Sequence, residues 1–254
     1  MGSLVGKKVF ITGAEQGIGK ETARKLIEAG CDIYIHYFSG EEGPRELMAI
    51  AEQKGGRAAC GYADLTNEED AARCVAQGAA FLGGIDILVN NVGGIIARKW
   101  LGEIEPQFWR TVIDVNMTTM LNVTQQALPW LKASPDGASI VNLASLAGRS
   151  GGHAGSLVYS TTKGAVLTWT RSLAAELGES GIRVNAVAPG LILGTRFHNQ
   201  HTTQASADQT IQAIPLGRAG TPEDVARVIC FLASEYDGFV SGATIDINGG
   251  IYGG

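Results

Sequence analysis

The chain has 254 residues, 45% of them hydrophobic, enough to bury one substantial core, and no linker or internal repeat divides it, so residues 1–254 are expected to form a single domain. A formal charge of −5 and a pI near 5.4 exclude the concentrated Lys and Arg excess that nucleic acid or an anionic membrane surface requires. A small-molecule partner is expected instead, with no nucleic acid and no membrane.

The first predicted strand, Lys8 to Thr12, runs into Thr12-Gly13-Ala14-Glu15-Gln16-Gly17-Ile18-Gly19, and an amphipathic helix (ETARKLIEAG) follows. In such a strand–turn–helix, Gly13 permits the tight turn, Gly17 lets backbone N–H groups approach a pyrophosphate at the helix N-terminus, and Gly19 allows close helix-to-strand packing. Further strands are predicted at Asp32 to Tyr37, Ala58 to Ala63, Ile85 to Asn90, Ser139 to Ala144, Arg183 to Ala188 and Thr244 to Ile247, with helical patterns in most gaps. Runs such as VFIT, DILVNN and SIVNLAS are apolar at successive positions, as parallel strands covered on both faces require. The expected fold is therefore α/β: a doubly wound, Rossmann-like parallel sheet that binds its ligand at the carboxyl ends of the strands. The polar segment 194–215 lies just beyond a strand end and reads either as a solvated helix or as a substrate lid. Cys31, Cys60, Cys74 and Cys230 are isolated and lack metal-ligand spacing, which implies reduced thiols, a cytoplasmic setting and no metal site.

Tyr159 and Lys163 are four residues apart and share one helix face. A free phenol has a pKa near 10, too high for efficient acid/base work at neutral pH, and a neighbouring ammonium lowers it. The pair therefore suits carbonyl reduction, where hydride reaches carbon and a proton must reach oxygen.

The TGxxxGIG spacing resembles that of the short-chain dehydrogenase/reductase family. So do Asn90-Asn91-Val92-Gly93 after the fourth strand, Asn116 in a helix, Ser145 after the fifth strand, Tyr159 and Lys163, and Pro189-Gly190 after the sixth. The resemblance runs in order along nearly the whole chain; Val92 stands where the family usually has Ala. It implies an NAD(P)-dependent oxidoreductase acting on a carbonyl or CH–OH group, and a homotetramer. It assigns catalysis to Asn116, Ser145, Tyr159 and Lys163, with Ser145 on the substrate oxygen and Asn116 anchoring a water that relays protons to Lys163. It also places Asp64 and Leu65 beside the adenine, Asn91 near the ribose, and Ile192 and Thr195 on the nicotinamide side, and counts Gly93 among the cofactor-binding residues. For Asp64, capping of the helix that starts near Asn67 is the alternative.

Choice between NAD and NADP depends on what meets the adenosine 2′ position. The second strand ends in Tyr37-Phe38-Ser39, with Tyr37 where many NAD-binding relatives carry Asp, while Gln16 stands where NADP-binding relatives often have Arg. Glu15 would accept from a ribose hydroxyl and repel a 2′-phosphate, which leans the reading towards NAD, unless Glu15 serves only the helix dipole. Arg149, Arg196 and His198 all follow strand ends, so with Ser145 and Tyr159 they form a candidate substrate rim for a carboxylated sugar, unless each simply faces solvent. The stretches GGIIARKWLGEIE and GTRFHNQ are similar to those of family members that reduce keto-uronate sugars, so the favoured reading is a reductase of sugars or sugar acids; a 3-oxoacyl thioester reductase and a dinucleotide-binding regulator without activity are the alternatives.

Overall fold

The computed structural model describes residues 4–196, 201–234 and 238–253. Seven strands, β1 (Lys8–Ile11), β2 (Asp32–Tyr37), β3 (Ala58–Tyr62), β4 (Ile87–Asn90), β5 (Ala138–Leu143), β6 (Ile182–Pro189) and β7 (Thr244–Ile247), form one sheet. All are parallel, in the order β3-β2-β1-β4-β5-β6-β7, so the doubly wound expectation holds.

Successive residues of a strand point to opposite faces, and both faces are covered. Val9 and Ile11 pack with Leu26 and Ile27 of α1 (Gly17–Glu28), Leu47 of α2 (Glu42–Gln53) and Ile229. Phe10 points the other way, into a core with Val75 of α3 (Glu68–Leu82) and Val123. All three strand residues are fully buried, which is why VFI carries no polar alternation. β4 begins at Ile87, two residues later than the apolar pattern indicates. Asp86 acts there as a tie, accepting from the Lys8 N–H at 2.9 Å and the Ser134 hydroxyl at 2.8 Å.

Helix ends follow local chemistry. The side chain of Asn67 accepts from the Asp70 N–H at 3.0 Å and caps α3, and Gly83, at φ +73°, terminates it in a left-handed turn. After β4 come α4 (Pro106–Ile113), one π-helical turn (Asp114–Thr118) and α5 (Thr119–Lys132). The short α6 (Ala147–Ser150) precedes α7 (Leu157–Leu177). After β6 the described residues form α8 (Gln204–Ala213) and α9 (Pro222–Ala233), the latter opened by a Thr221/Asp224 capping box. Among the described residues, no helix is long and apolar enough to cross a membrane.

β1 has β2 on one side and β4 on the other: the chain builds outwards from β1 to β3 and then crosses back to place β4 on β1's other side. A crevice opens there, at the carboxyl ends of β1 and β4. The segments after β1, β2, β4, β5 and β6 converge on that edge.

Candidate active site

The turn between β1 and α1 is clamped from below. The Thr12 hydroxyl accepts from the N–H groups of Asn91 (2.9 Å) and Val92 (3.1 Å), and the Asn91 amide donates to the carbonyls of Thr12 (2.9 Å) and Gly13 (2.8 Å). Asn91, expected beside a ribose, thus has its side-chain amide engaged in shaping the turn. Gly13 and Gly17 have φ of +61° and +57°, which other residues rarely adopt. A Cβ on Gly19 would lie 2.4 Å from the Gly13 carbonyl oxygen, so only glycine lets α1 start this close to the turn. Gln16 enters α1 in extended conformation with no side-chain cap, leaving the first N–H groups of α1 for an anion. Ile18 is partly buried against the core, so its main chain is what it can offer a ligand. These features fit the pyrophosphate of a dinucleotide.

The segment after β6 closes over this turn. The Leu146 N–H donates to the buried Pro189 carbonyl, and the Gly190 N–H donates to Ile247, both at 2.9 Å. Thr195, 7% exposed, hydrogen-bonds the Ile192 carbonyl at 3.1 Å, and its methyl would lie 3.5 Å from a Cβ on Gly17. The Ile192 side chain itself is in the core, against Gly220, which leaves its main chain to face a ligand.

On the other side of the turn, Glu15, Gln16, Ser39, Glu41, Glu42 and Arg196 line a polar recess. Ser39 donates to Glu15 Oε1 at 3.0 Å, and Glu15 Oε2 is buried with no partner among the described residues. Tyr37 meets the edge of Tyr62, and Phe38 stacks on the same ring at 5.7 Å. Asp64 caps no helix: its Oδ1 accepts from the Thr66 N–H (3.0 Å) and hydroxyl (2.7 Å), a local turn one step before the Asn67 cap. Leu65, expected beside the adenine, can offer it only its main chain. Its side chain is 3% exposed within the core around α3, and its carbonyl accepts from Asn122 at 3.0 Å.

The candidate catalytic residues do come together. Tyr159 and Lys163 share one face of α7, with the ammonium 5.9 Å from the phenol ring centre. Lys163 is 3% exposed and donates to the Leu143 carbonyl at the end of β5 at 2.6 Å. Ser145, two residues further on, hydrogen-bonds the Tyr159 phenol and accepts from the Ala147 N–H at 3.1 Å. The π-helical turn carries Asn116, 1% exposed, which accepts from the Gly94 N–H at 3.0 Å and donates to the carbonyls of Gly94 (2.8 Å) and Val112 (2.9 Å). Gly93 packs against both groups: a Cβ there would lie 2.7 Å from Asn116 Oδ1 and 2.8 Å from Lys163 Nζ.

The electrostatics differ from expectation. Burial pushes the Lys163 ammonium down to about 8, so it still carries its proton at neutral pH. Burial also holds the Tyr159 phenol above its ordinary value, and the hydrogen bond with Ser145 works against that rise. Desolvation of the ring thus outweighs the Ser145 hydrogen bond, where the Tyr159/Lys163 spacing alone predicts a net fall.

Of the expected cationic rim, two members are described, and they face different ways. Arg149 turns to the edge strand, pairing with Asp246 at 3.2 Å and donating to the Thr244 carbonyl, because that carboxylate satisfies it better than solvent. Arg196 lines the acidic recess beside Glu15, on the turn's side of the crevice. His198 lies outside the described residues, as does part of segment 194–215. A residue that sequence reasoning passed over is His36. It reads as one more strand residue, and the polar group in the apolar run IYIHY is the signal that could have found it.

A protein-family model described as enoyl-(acyl carrier protein) reductase matches residues 13–252. The chain is 38% identical over 251 residues to the 3-oxoacyl-[acyl-carrier-protein] reductase FabG of Aquifex aeolicus, covering 98% of each chain. Among solved structures it is similar to an NADH-dependent reductase, A1-R′, responsible for alginate metabolism, with a TM-score of 0.91, 30% identity and full coverage of both chains. It also resembles a blue fluorescent protein from a metagenomic library in complex with NADPH, with a TM-score of 0.91 and 31% identity over 99% of this chain and all of the other.

Proposed function

The chain belongs to the short-chain dehydrogenase/reductase family and is an NAD(P)-dependent oxidoreductase acting on a carbonyl or CH–OH group, and we propose that its substrate is the ketone of a 3-oxoacyl thioester. The observation that carries the substrate class is the end-to-end identity with a 3-oxoacyl reductase. The outward-turned Arg149 supports it, since a carboxylated substrate would need a free cation near Ser145.

The reduced dinucleotide, when bound, supplies the hydride. The chain's own residues supply the rest. Tyr159 donates its phenolic proton to the ketone oxygen, and Ser145 holds that oxygen and stabilises the charge that develops on it. Lys163, fixed by Leu143, keeps a positive charge beneath the phenol and favours loss of its proton in the transition state. Asn116, fixed at Gly94 and Val112, sets the floor from which the proton is replaced.

NADH is the preferred donor in this reading. Among the described residues, the carboxylates of Glu15, Glu41 and Glu42 line the recess with the cation Arg196; Glu41 is paired with Arg45, so Glu15 and Glu42 carry the charge that disfavours a 2′-phosphate, and the buried Glu15 Oε2 suits a ribose hydroxyl donor. The working form in this reading is a cytoplasmic homotetramer whose segment 194–215 covers the substrate. Exposed Trp109, Leu121 and Trp130 on α4 and α5 support an oligomer, which sedimentation at micromolar concentration checks against monomer mass. A second reading, reduction of a keto sugar acid, is favoured by the alginate-metabolising neighbour. The test is loss of reduced-nicotinamide absorbance with a 3-oxoacyl thioester and with a keto-uronate sugar, each with NADH and NADPH. The thioester with NADH should give the highest kcat/KM; a higher value for the sugar acid would transfer the assignment to the second reading.

A further inference from the structure

His36 is 1% exposed in β2 and is fixed by two obligate backbone partners. Its Nδ1 lies 3.1 Å from the Gly13 N–H, and its Nε2 lies 3.0 Å from the Ala63 carbonyl oxygen. An N–H can only donate and a carbonyl can only accept, so the ring must be neutral, with Nδ1 as acceptor and the proton on Nε2. Its own carbonyl accepts from the Ala14 N–H at 3.1 Å. One residue therefore holds two successive peptides of the glycine-rich turn from the side opposite Asn91.

The other end of the ring reaches the residue immediately before Asp64, where the chain leaves β3. The imidazole thus joins the wall of the turn to the wall formed by the start of the β3–α3 connection. Gly13 is pinned at both its N–H, by His36, and its carbonyl, by Asn91. At φ +61° it sets the direction in which Glu15 to Gly19 leave the strand. An aliphatic side chain at position 36 would fill the same space and leave the Gly13 N–H buried without an acceptor.

We propose that His36 is a positioning residue for dinucleotide binding: its Nδ1 acceptor presets the Gly13 turn, and its Nε2–H fixes that turn relative to the β3–α3 wall. The proposal rests on the dinucleotide reading of the turn. Its effect falls on binding and leaves the proton-transfer machinery on α7 untouched. The two arms can be separated, because an Asn amide places an oxygen near the Nδ1 position, whereas a Gln amide reaches the Nε2 position and leaves the Nδ1 position empty of an acceptor.

The experiment titrates NADH and NADPH into the wild-type chain, His36→Asn and His36→Gln, following protein fluorescence, with kcat read at saturating cofactor and folding verified by thermal unfolding. His36→Asn should stay within about threefold of the wild-type Kd, whereas His36→Gln should weaken binding about tenfold or more, with kcat changed less than about twofold. Equal Kd values for His36→Gln and wild type would overturn the positioning role, as would equal weakening in both variants. Absence of dinucleotide binding by the wild-type chain would instead overturn the reading of the turn itself. Should His36→Gln fail to fold, the imidazole nitrogen spectrum of the wild type decides: a neutral Nε2–H tautomer supports the role, and an Nδ1–H tautomer contradicts it.

Discussion

At the scale of single residues, the chemistry depends on a few groups whose environments the fold imposes. Tyr159 is the proton donor in this account, and Tyr159→Phe deletes it with almost no change in volume. Turnover should fall by about 10² to 10⁴-fold, with dinucleotide binding and thermal stability retained; near-normal kcat would remove Tyr159 from the chemistry. His36 makes a pH prediction. Burial holds its pKa below the usual 6.5, even though Glu15 and Asp64 are the acids near enough to raise it. A folded state that resists protonation binds fewer protons than the unfolded chain, so stability is full above about pH 6.5 and declines as pH falls towards the folded-state pKa. The urea midpoint should drop between about pH 7 and pH 5, and the drop should be smaller in His36→Asn. A pH profile identical in the two proteins would contradict this. Which single residues face the site was only partly legible. Tyr159, Lys163 and Ser145 follow from spacing and from the ends of strands. Leu65, Ile192 and Arg149 were placed by position in the chain, and each found a deeper or better-charged partner: the core for the two apolar side chains, Asp246 for the arginine.

At the scale of elements, the strands were legible because burial on both faces removes the polar alternation, as in VFI and ILV, a pattern that solvated elements do not show. Their ends were less so. Asp86 sits just before β4 for reasons of hydrogen bonding across the sheet, accepting from the Lys8 N–H, and no periodicity reports such a tie. The π-helical turn at Asp114–Thr118 was invisible as well, since it changes the aim of Asn116 without changing the helical composition around it. Helix α9 shows local chemistry that can be tested. Thr221 accepts from the Asp224 N–H at 3.3 Å and donates its own N–H to the Asp224 carboxylate at 2.8 Å, while Arg218 pairs with the same carboxylate at 2.7 Å. Thr221→Ala should lower unfolding free energy by about 1 kcal/mol and leave kcat unchanged, as measured by urea denaturation and steady-state kinetics. An unchanged midpoint would mean that Arg218 alone holds the helix start.

At the scale of the whole molecule, the reversal of strand order at β1 creates the crevice, and every group in the mechanism stands on a segment leaving the same edge of the sheet. Lys163 on α7, Leu143 at the end of β5 and Gly93 after β4 lock together, so the proton donor is fixed relative to the turn that receives the dinucleotide. In the proposed mechanism the division of labour is spatial: the β1–β2–β3 half, with Gly13, His36 and Glu15, would orient the cofactor, and the β4–β5–β6 half, with Asn116, Ser145 and Tyr159, would handle the proton. What the whole molecule is for therefore reduces to whether a hydride crosses between those halves. The direct measurement uses NADH deuterated at its transferable position with a 3-oxoacyl thioester, and mass spectrometry of the product. This account predicts one deuterium on the carbon that bears the new hydroxyl, at a rate lowered about 10² to 10⁴-fold by Tyr159→Phe. Oxidation of the cofactor without deuterium in any carbonyl product, or no oxidation across thioester and sugar substrates with either dinucleotide, would contradict it.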